Sequence, residues 1–385
     1  MRRLSLLSLV FLAAGALLIG CSSSSPGGGS SQGPIKLGAV ASLTGVAAFP
    51  YSTSAAEAVF NQVNRQGGIN GRKIDYIVAD DAGSPTQGSA AARKLVNTDG
   101  VVAMVGATSL ADCTTDGTFY QTMGISVLQG VGIDAGCFNS PAIASVNTGP
   151  YYDIAVALYY LSQVEHLPRV CLDLPNAGIP ISAYQPALDI WKRATGKTLT
   201  AEVSAPINDD PAPGMAELAS DGCKGVVLAT TTQTYPEFLS AASAAGLTSA
   251  GHLVMGVSSA YTQSMPAAMG AQGQGFLAAA EFQPFTSDDA AVQPYLSLMK
   301  SAGLTPSAFG EAGYVAAEIM VAALKTIKGP ITKASVSAAL RARAYPSSLL
   351  AKPFKWSTQP NKSLIIVEIH DGKWIVPSKA WITLG

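Results

Sequence analysis

The stretch 35–79 reads IKLGAVASLTGVAAFPYSTSAAEAVFNQVNRQGGINGRKIDYIVA, and the order of its apolar segments decides the architecture. Ile35-Lys36-Leu37-Gly38-Ala39-Val40 is a short apolar run of strand length. In 55–65, Ala55, Val59 and Val63 recur every four residues, and Ala56 and Phe60 widen the stripe, which predicts a helix with one buried face. Gly67-Gly68 then stops it, because glycine takes the left-handed turn at a helix end without steric cost. Residues 73–79 return to strand. Two apolar strands joined through a helix are the signature of a parallel pair, since parallel strands need a crossover of this length.

The alternation continues outward. Gly83-Ser84-Pro85-Thr86 offers Thr86 as the N-cap of a helix running through Val96, followed by a strand at 101–105, a helix at 115–123 and a strand at 125–128. Strands this apolar, with helices between them, predict an α/β fold whose parallel sheet is covered on both faces. After Asn147-Thr148-Gly149-Pro150 the pattern restarts with a helix at 152–164 and strands at 169–174, 199–203, 225–229 and 252–257, a second doubly wound lobe. Periodicity leaves a strand at 276–281 and an Ala-rich helix at 310–324 free to join either lobe.

Upstream, Met1-Arg2-Arg3 precede an apolar run, Leu4 to Ile19, that is too short for a stable membrane span and reads as a signal peptide. It closes on Leu18-Ile19-Gly20-Cys21, which resembles the lipobox of bacterial lipoproteins; the resemblance implies cleavage before Cys21, a lipid on its thiol, and residence on the extracytoplasmic face of the cell membrane. Residues 22–33 hold only Ser, Gly, Pro and one Gln, a composition expected of a flexible tether.

The 385 residues exceed what a single core usually fills, which agrees with two lobes. Hydrophobic residues make up 48% and charged ones 13%, which excludes disorder, and a net charge of -1 without a basic cluster argues against nucleic acid. Beyond Cys21, Cys113, Cys137, Cys171 and Cys223 form an even set suited to an oxidising compartment. Three pairings are open; Cys113 with Cys137 and Cys171 with Cys223 is preferred because each pair then stays within one lobe, and four buried free thiols are the alternative. His166, His252 and His370 are scattered and no Cys-x-x-Cys occurs, so neither a metal nor another cofactor is expected.

Several motifs resemble the type I periplasmic binding proteins of the branched-chain amino-acid (Leu/Ile/Val-binding) kind. Gly67-Gly68-Ile69-Asn70-Gly71 looks like that family's turn into its second strand, Asp80-Asp81-Ala82-Gly83-Ser84-Pro85 like its Asp-Asp-Ala loop, and Leu43-Thr44-Gly45 like its first loop, all in order. Weaker likeness continues through Gly310-Glu311-Ala312-Gly313-Tyr314 and Pro353-Phe354-Lys355-Trp356. The resemblance implies two doubly wound parallel-sheet lobes joined by a three-segment hinge, with 35–146 and 276–350 in one lobe and 147–275 and 351–385 in the other. It also implies a small-molecule ligand closed between the lobes and delivered to an ABC permease, with no enzymatic step. A ligand sensor of the same fold and a secreted hydrolase are the competing readings; the hydrolase lacks a Gly-x-Ser-x-Gly.

Open α/β sheets bind ligands beyond the carboxyl ends of their strands. The candidates there are Phe49 and Tyr51 after the first strand, Thr108 and Ser109 after the third, and Gln129 and Val131 after the fourth. In the second lobe they are Ile179, Thr231, Thr232, Ser258 and Tyr261. By the resemblance, Ile179 replaces an aromatic, and Ser258 stands where amino-acid binders carry a Glu that pairs with the ligand ammonium. An unpaired ammonium in a closed cleft costs several kcal/mol, so the expected ligand is small, partly apolar and neutral or anionic, unless Asp112 or Asp134 restores the charge.

Overall fold

The computed structural model describes residues 33–45, 48–176, 181–358 and 361–384. The signal segment, Cys21, the tether up to residue 32 and Ile179 lie outside them. Residues Pro34–Gly385 pack as one unit built on two sheets.

The first sheet contains β1 (Ile35–Ala41), β2 (Ile74–Asp80), β3 (Ala103–Val105), β4 (Val127–Gln129) and β5 (Ile143–Ser145), in the order β2-β1-β3-β4-β5 and parallel throughout. The second contains β6 (Val170–Asp173), β7 (Glu202–Val203), β8 (Gly225–Leu228), β9 (Leu253–Gly256), β10 (Leu277–Ala280), β11 (Ile365–His370) and β12 (Lys373–Ile375), in the order β12-β11-β10-β9-β8-β6-β7. Its strands β6 to β10 are parallel and repeat the order of the first sheet, and β11 and β12 extend the β10 edge antiparallel. β6, β8 and β10 are buried along their whole length, as expected for strands covered by helices on both faces.

The helix Tyr51–Arg65 follows β1, and the turn after it explains the Gly-Gly-Ile-Asn-Gly sequence. Gly68 has φ +81°, and a Cβ there would lie 2.0 Å from the Arg72 carbonyl oxygen, while Asn70 adopts φ 52° between the paired backbones of Ile69 and Arg72. The helix Ala308–Thr326 packs on Tyr51–Arg65 so closely that a Cβ on Gly313 would lie 1.9 Å from the Ser52 carbonyl oxygen. This places the Ala-rich helix with the first sheet, although the chain has already passed through the second.

Two sequence expectations need correction. The helix Pro85–Arg93 is capped by Ser84, whose hydroxyl accepts from Gln87 N, and not by Thr86, because Pro85 fills the first helical position and sets the start two residues earlier. The segment expected to open the return to the first lobe at 276 is instead β10, held between β9 and β11; its small, apolar Leu-Ala-Ala-Ala is buried on both faces, so the chain leaves the second sheet only at Glu281. The crossings between sheets thus fall after β5, after β10 and before β11. Cys113–Cys137 and Cys171–Cys223 are both disulfide-bonded.

Candidate functional site

The carboxyl ends of the two sheets meet at a cavity. From the first sheet come Phe49 after β1, Leu110 after β3, Val131 to Ile133 after β4 and Asn147 after β5. Opposite stand Pro175 after β6, Ile207 after β7, Thr230 and Thr231 after β8 and Val257 to Ser259 after β9, with Pro150 and Asp153 at the start of the helix Pro150–Tyr159. Phe309, in the first turn of Ala308–Thr326, packs its ring 5.7 Å from that of Phe49. Beside the cavity, the loop after β8 is bonded to the loop after β1, from Gln233 Nε2 to the Ala48 carbonyl at 3.0 Å.

Of the candidate residues, the structure brings Phe49, Val131, Thr231 and Ser258 to the cavity wall. The other candidates among the described residues lie off this wall. Ser109 Oγ donates to Asp81 at 2.5 Å and accepts from Ala111 and Asp112 N, so it is spent on the turn that leads into the helix Asp112–Thr122. Gln129 is buried, with its amide directed to Asp112 and the Cys113 sulfur. Thr108 is buried against Val131 with its hydroxyl unpartnered, and Thr232 donates to the Ser259 carbonyl. Tyr51 packs half-buried against the core at the start of its helix. Tyr261 turns inward, because its ring stacks on Phe285 at 4.2 Å and its hydroxyl meets Thr286. A strand-end hydroxyl or aromatic serves capping or core as readily as a cleft, and sequence spacing does not separate these uses.

The carboxylates of the resemblance motifs are also structural. Asp80 accepts from Leu43 N, Thr44 N, Thr44 Oγ1 and Ala82 N, fastening the first loop to the Asp-Asp-Ala loop. Burial alone would raise its pKa, but the bonds from Thr44 and the three backbone donors outweigh that and hold it below the usual carboxylate range. Asp112, bonded to Tyr120 and Gln129, and Asp134, bonded to Thr114 and Gly136, do not line the cavity.

Among the described residues, the carboxyl that does line it is one that spacing alone did not single out. Asp153 Oδ1 lies 2.5 Å from Thr148 Oγ1, and Oδ2 accepts from Ser258 N at 3.0 Å. Behind it, Glu281 Oε1 accepts from Asn147 Nδ2, Thr148 N and Gly149 N and lies 2.6 Å from Thr148 Oγ1. Its backbone carbonyl accepts from Asn361 Nδ2, so the second crossing is tied to the first and to the approach to β11. Burial, then the neighbouring Glu281, push the Asp153 carboxyl well above the usual range. Glu311, in the first turn of Ala308–Thr326, is fully buried with both carboxyl oxygens unpartnered, and burial followed by the Glu281 charge raises it likewise. The signal available in sequence was an acid three residues into a helix that follows Asn147-Thr148-Gly149-Pro150. No Lys, Arg or His lines the cavity among the described residues.

Comparison with known proteins places this architecture. A family model described as periplasmic binding protein matches residues 34–373. A Leu/Ile/Val-binding protein of Rhizobium johnstonii is 43% identical over 74 residues, which cover 19% of this chain and 20% of that protein, so the match spans about a fifth of that relative's length. Among solved structures, a possible leucine/isoleucine/valine-binding protein from Rhodopirellula baltica aligns at TM-score 0.79 and 18% identity, covering 90% of this chain and 96% of that one. A fatty acid ABC transporter substrate-binding protein from Thermomonospora curvata aligns at TM-score 0.77 and 20% identity, covering 90% and 92%.

Proposed function

The chain belongs to the periplasmic binding protein family, whose model spans residues 34–373, and on that premise we propose that it is the solute-binding lipoprotein of an ABC importer. It captures a small amphipathic molecule between its lobes and presents the closed form to the permease. The observation that carries this reading is the cavity walled by loops from both sheets, with Gln233 of one loop set bonded to Ala48 of the other. A ligand held by both walls favours closure by the difference between its affinities for the closed and open forms. Lipid on Cys21 and the tether behind it would keep the binding lobes beside the permease.

The lining supports a ligand with an apolar body, since Phe49, Leu110, Val131, Ile133, Val257 and Phe309 all face the cavity. Its polar end meets Ser258, Ser259, Thr230 and Thr231, where the family resemblance would place an ammonium-pairing Glu at Ser258. Leucine, 4-methylpentanoate and 4-methylpentanamide share one apolar body and differ only at the polar end, so they form the test panel. Native mass spectrometry of protein purified without refolding would reveal a trapped molecule directly, and thermal unfolding with each compound would rank them. A ligand at a hundredfold its Kd adds about 2.7 kcal/mol to stability. Absence of both a trapped molecule and any stabilisation by small amphipathic compounds would overturn the assignment, as would turnover of a panel member.

A further inference from the structure

Thr148 Oγ1 lies within hydrogen-bonding distance of two carboxyl oxygens, 2.5 Å from Asp153 Oδ1 and 2.6 Å from Glu281 Oε1. A hydroxyl has one proton and can donate it to only one of them. The other contact, at the same short distance, requires a proton on the carboxyl itself. Glu281 Oε1 already accepts from Asn147 Nδ2, Thr148 N and Gly149 N, three donors that favour its anion against the burial that raises it. Asp153 has a single backbone donor, Ser258 N. The proton therefore belongs on Asp153 Oδ1, which donates to Thr148, which donates to Glu281.

We propose that Asp153 meets the ligand as an uncharged carboxylic acid, its proton shared through Thr148 with the Glu281 carboxylate, and that this makes the cleft selective for amphipathic molecules carrying no cation. The selectivity rests on the reading of the cleft given above; the shared proton does not. Asp153 lines the cavity, so it is a specificity-determining residue, while Thr148 and Glu281 act through it. A ligand ammonium would have to displace that proton to solvent before it gained a counter-charge, whereas a carboxylate or amide enters without doing so.

Burial and the adjacent Glu281 charge favour the neutral acid and outweigh the bonds from Ser258 and Thr148, which favour the anion. Asp153 faces Glu281, the hydroxyls of Thr148 and Ser258 and the phenol of Tyr235. Glu281 faces Asp153 and Glu311, and Glu311 in turn faces the phenols of Tyr261 and Tyr295. Among the described residues, no Lys, Arg or His forms an ion pair with any of these carboxyls. Two adjacent buried carboxyls without a cation cannot both ionise cheaply.

The proton is read without any ligand. In infrared difference spectra at pH 7, wild type minus Asp153→Asn should contain the C=O stretch of a carboxylic acid; carboxylate bands alone would overturn the proposal. Asn preserves the shape and supplies an N–H in place of the acid O–H, so the variant is expected to fold. Should it not fold, Glu281→Gln serves: removing the neighbouring anion should lower the midpoint at which the Asp153 acid band titrates by more than one pH unit, and an unchanged midpoint rejects the sharing. For selectivity, calorimetry at pH 7 should find 4-methylpentanoate or its amide bound at least tenfold more tightly than leucine, with carboxylate affinity in the wild type falling as pH rises and Asp153→Asn keeping it. Equal or tighter binding of leucine rejects the selectivity. If none of the three compounds binds, the proposed ligand range is what fails, and the infrared result alone decides the proton.

Discussion

Asp173 ends β6 with its side chain buried, and burial pushes its carboxyl up to about 7. A folded pKa above the unfolded one means that its contribution to stability is complete below the unfolded carboxylate range and is lost as pH rises through about 7. Asp173→Asn should therefore flatten the decline of melting temperature between about pH 5 and 9 that the wild type shows, a comparison made by calorimetry. Glu281 behaves differently because its oxygen collects donors from the first crossing. Glu281→Ala strands Asn147 Nδ2, Thr148 N and Gly149 N and should cost about 3 kcal/mol or more in urea unfolding, whereas Glu281→Gln keeps an acceptor and most of the stability. A loss of the same size in both variants would show that the acceptor is not what matters. At this scale sequence gave partial access to the cavity wall. Phe49, Val131, Thr231 and Ser258 are on it, but Asp153 escaped notice because an acid in the first turn of a helix has an ordinary use at the helix dipole.

Elements were far more legible than side chains, and the reason is periodicity. Ala55, Val59 and Val63 repeat at helical spacing over a whole element, and the burial of all three follows from it. A loop residue has no such repetition to average over. The strand at 277–280 shows the limit, since Leu-Ala-Ala-Ala records that the strand is covered on both faces but not by which sheet. Only pairing with β9 and β11 decides that. The contact of Ala308–Thr326 with Tyr51–Arg65 depends on one missing methyl group. Gly313→Ala puts a Cβ against the Ser52 carbonyl and should destabilise by about 1–3 kcal/mol as the helices are forced apart, although alanine favours an isolated helix. An unchanged or raised unfolding midpoint would mean that the helix pair yields without cost.

On the scale of the whole molecule, the two sheets repeat one strand order, β2-β1-β3-β4-β5 beside β7-β6-β8-β9-β10, so their binding ends present comparable loops to each other. Gln233 and Ala48 join two of these loops by an exposed hydrogen bond. Gln233→Ala should leave the unfolding midpoint of the free protein nearly unchanged and weaken ligand several-fold, mainly by faster release, as expected for a bond of about 1 kcal/mol made on closure. Stopped-flow dissociation of any compound selected from the panel measures this. An unaltered release rate would place the closing contact elsewhere.

The interleaved crossings also govern how the chain can assemble. The helix that buries the first lobe's Tyr51–Arg65 begins at Ala308, and the second sheet is not finished until β11 and β12 join β10. A chain made or threaded amino end first therefore has neither lobe complete until its last stretch arrives. Both halves must wait for it with apolar faces uncovered, which makes the arrival of this late segment the step most exposed to aggregation or to capture by a holding chaperone.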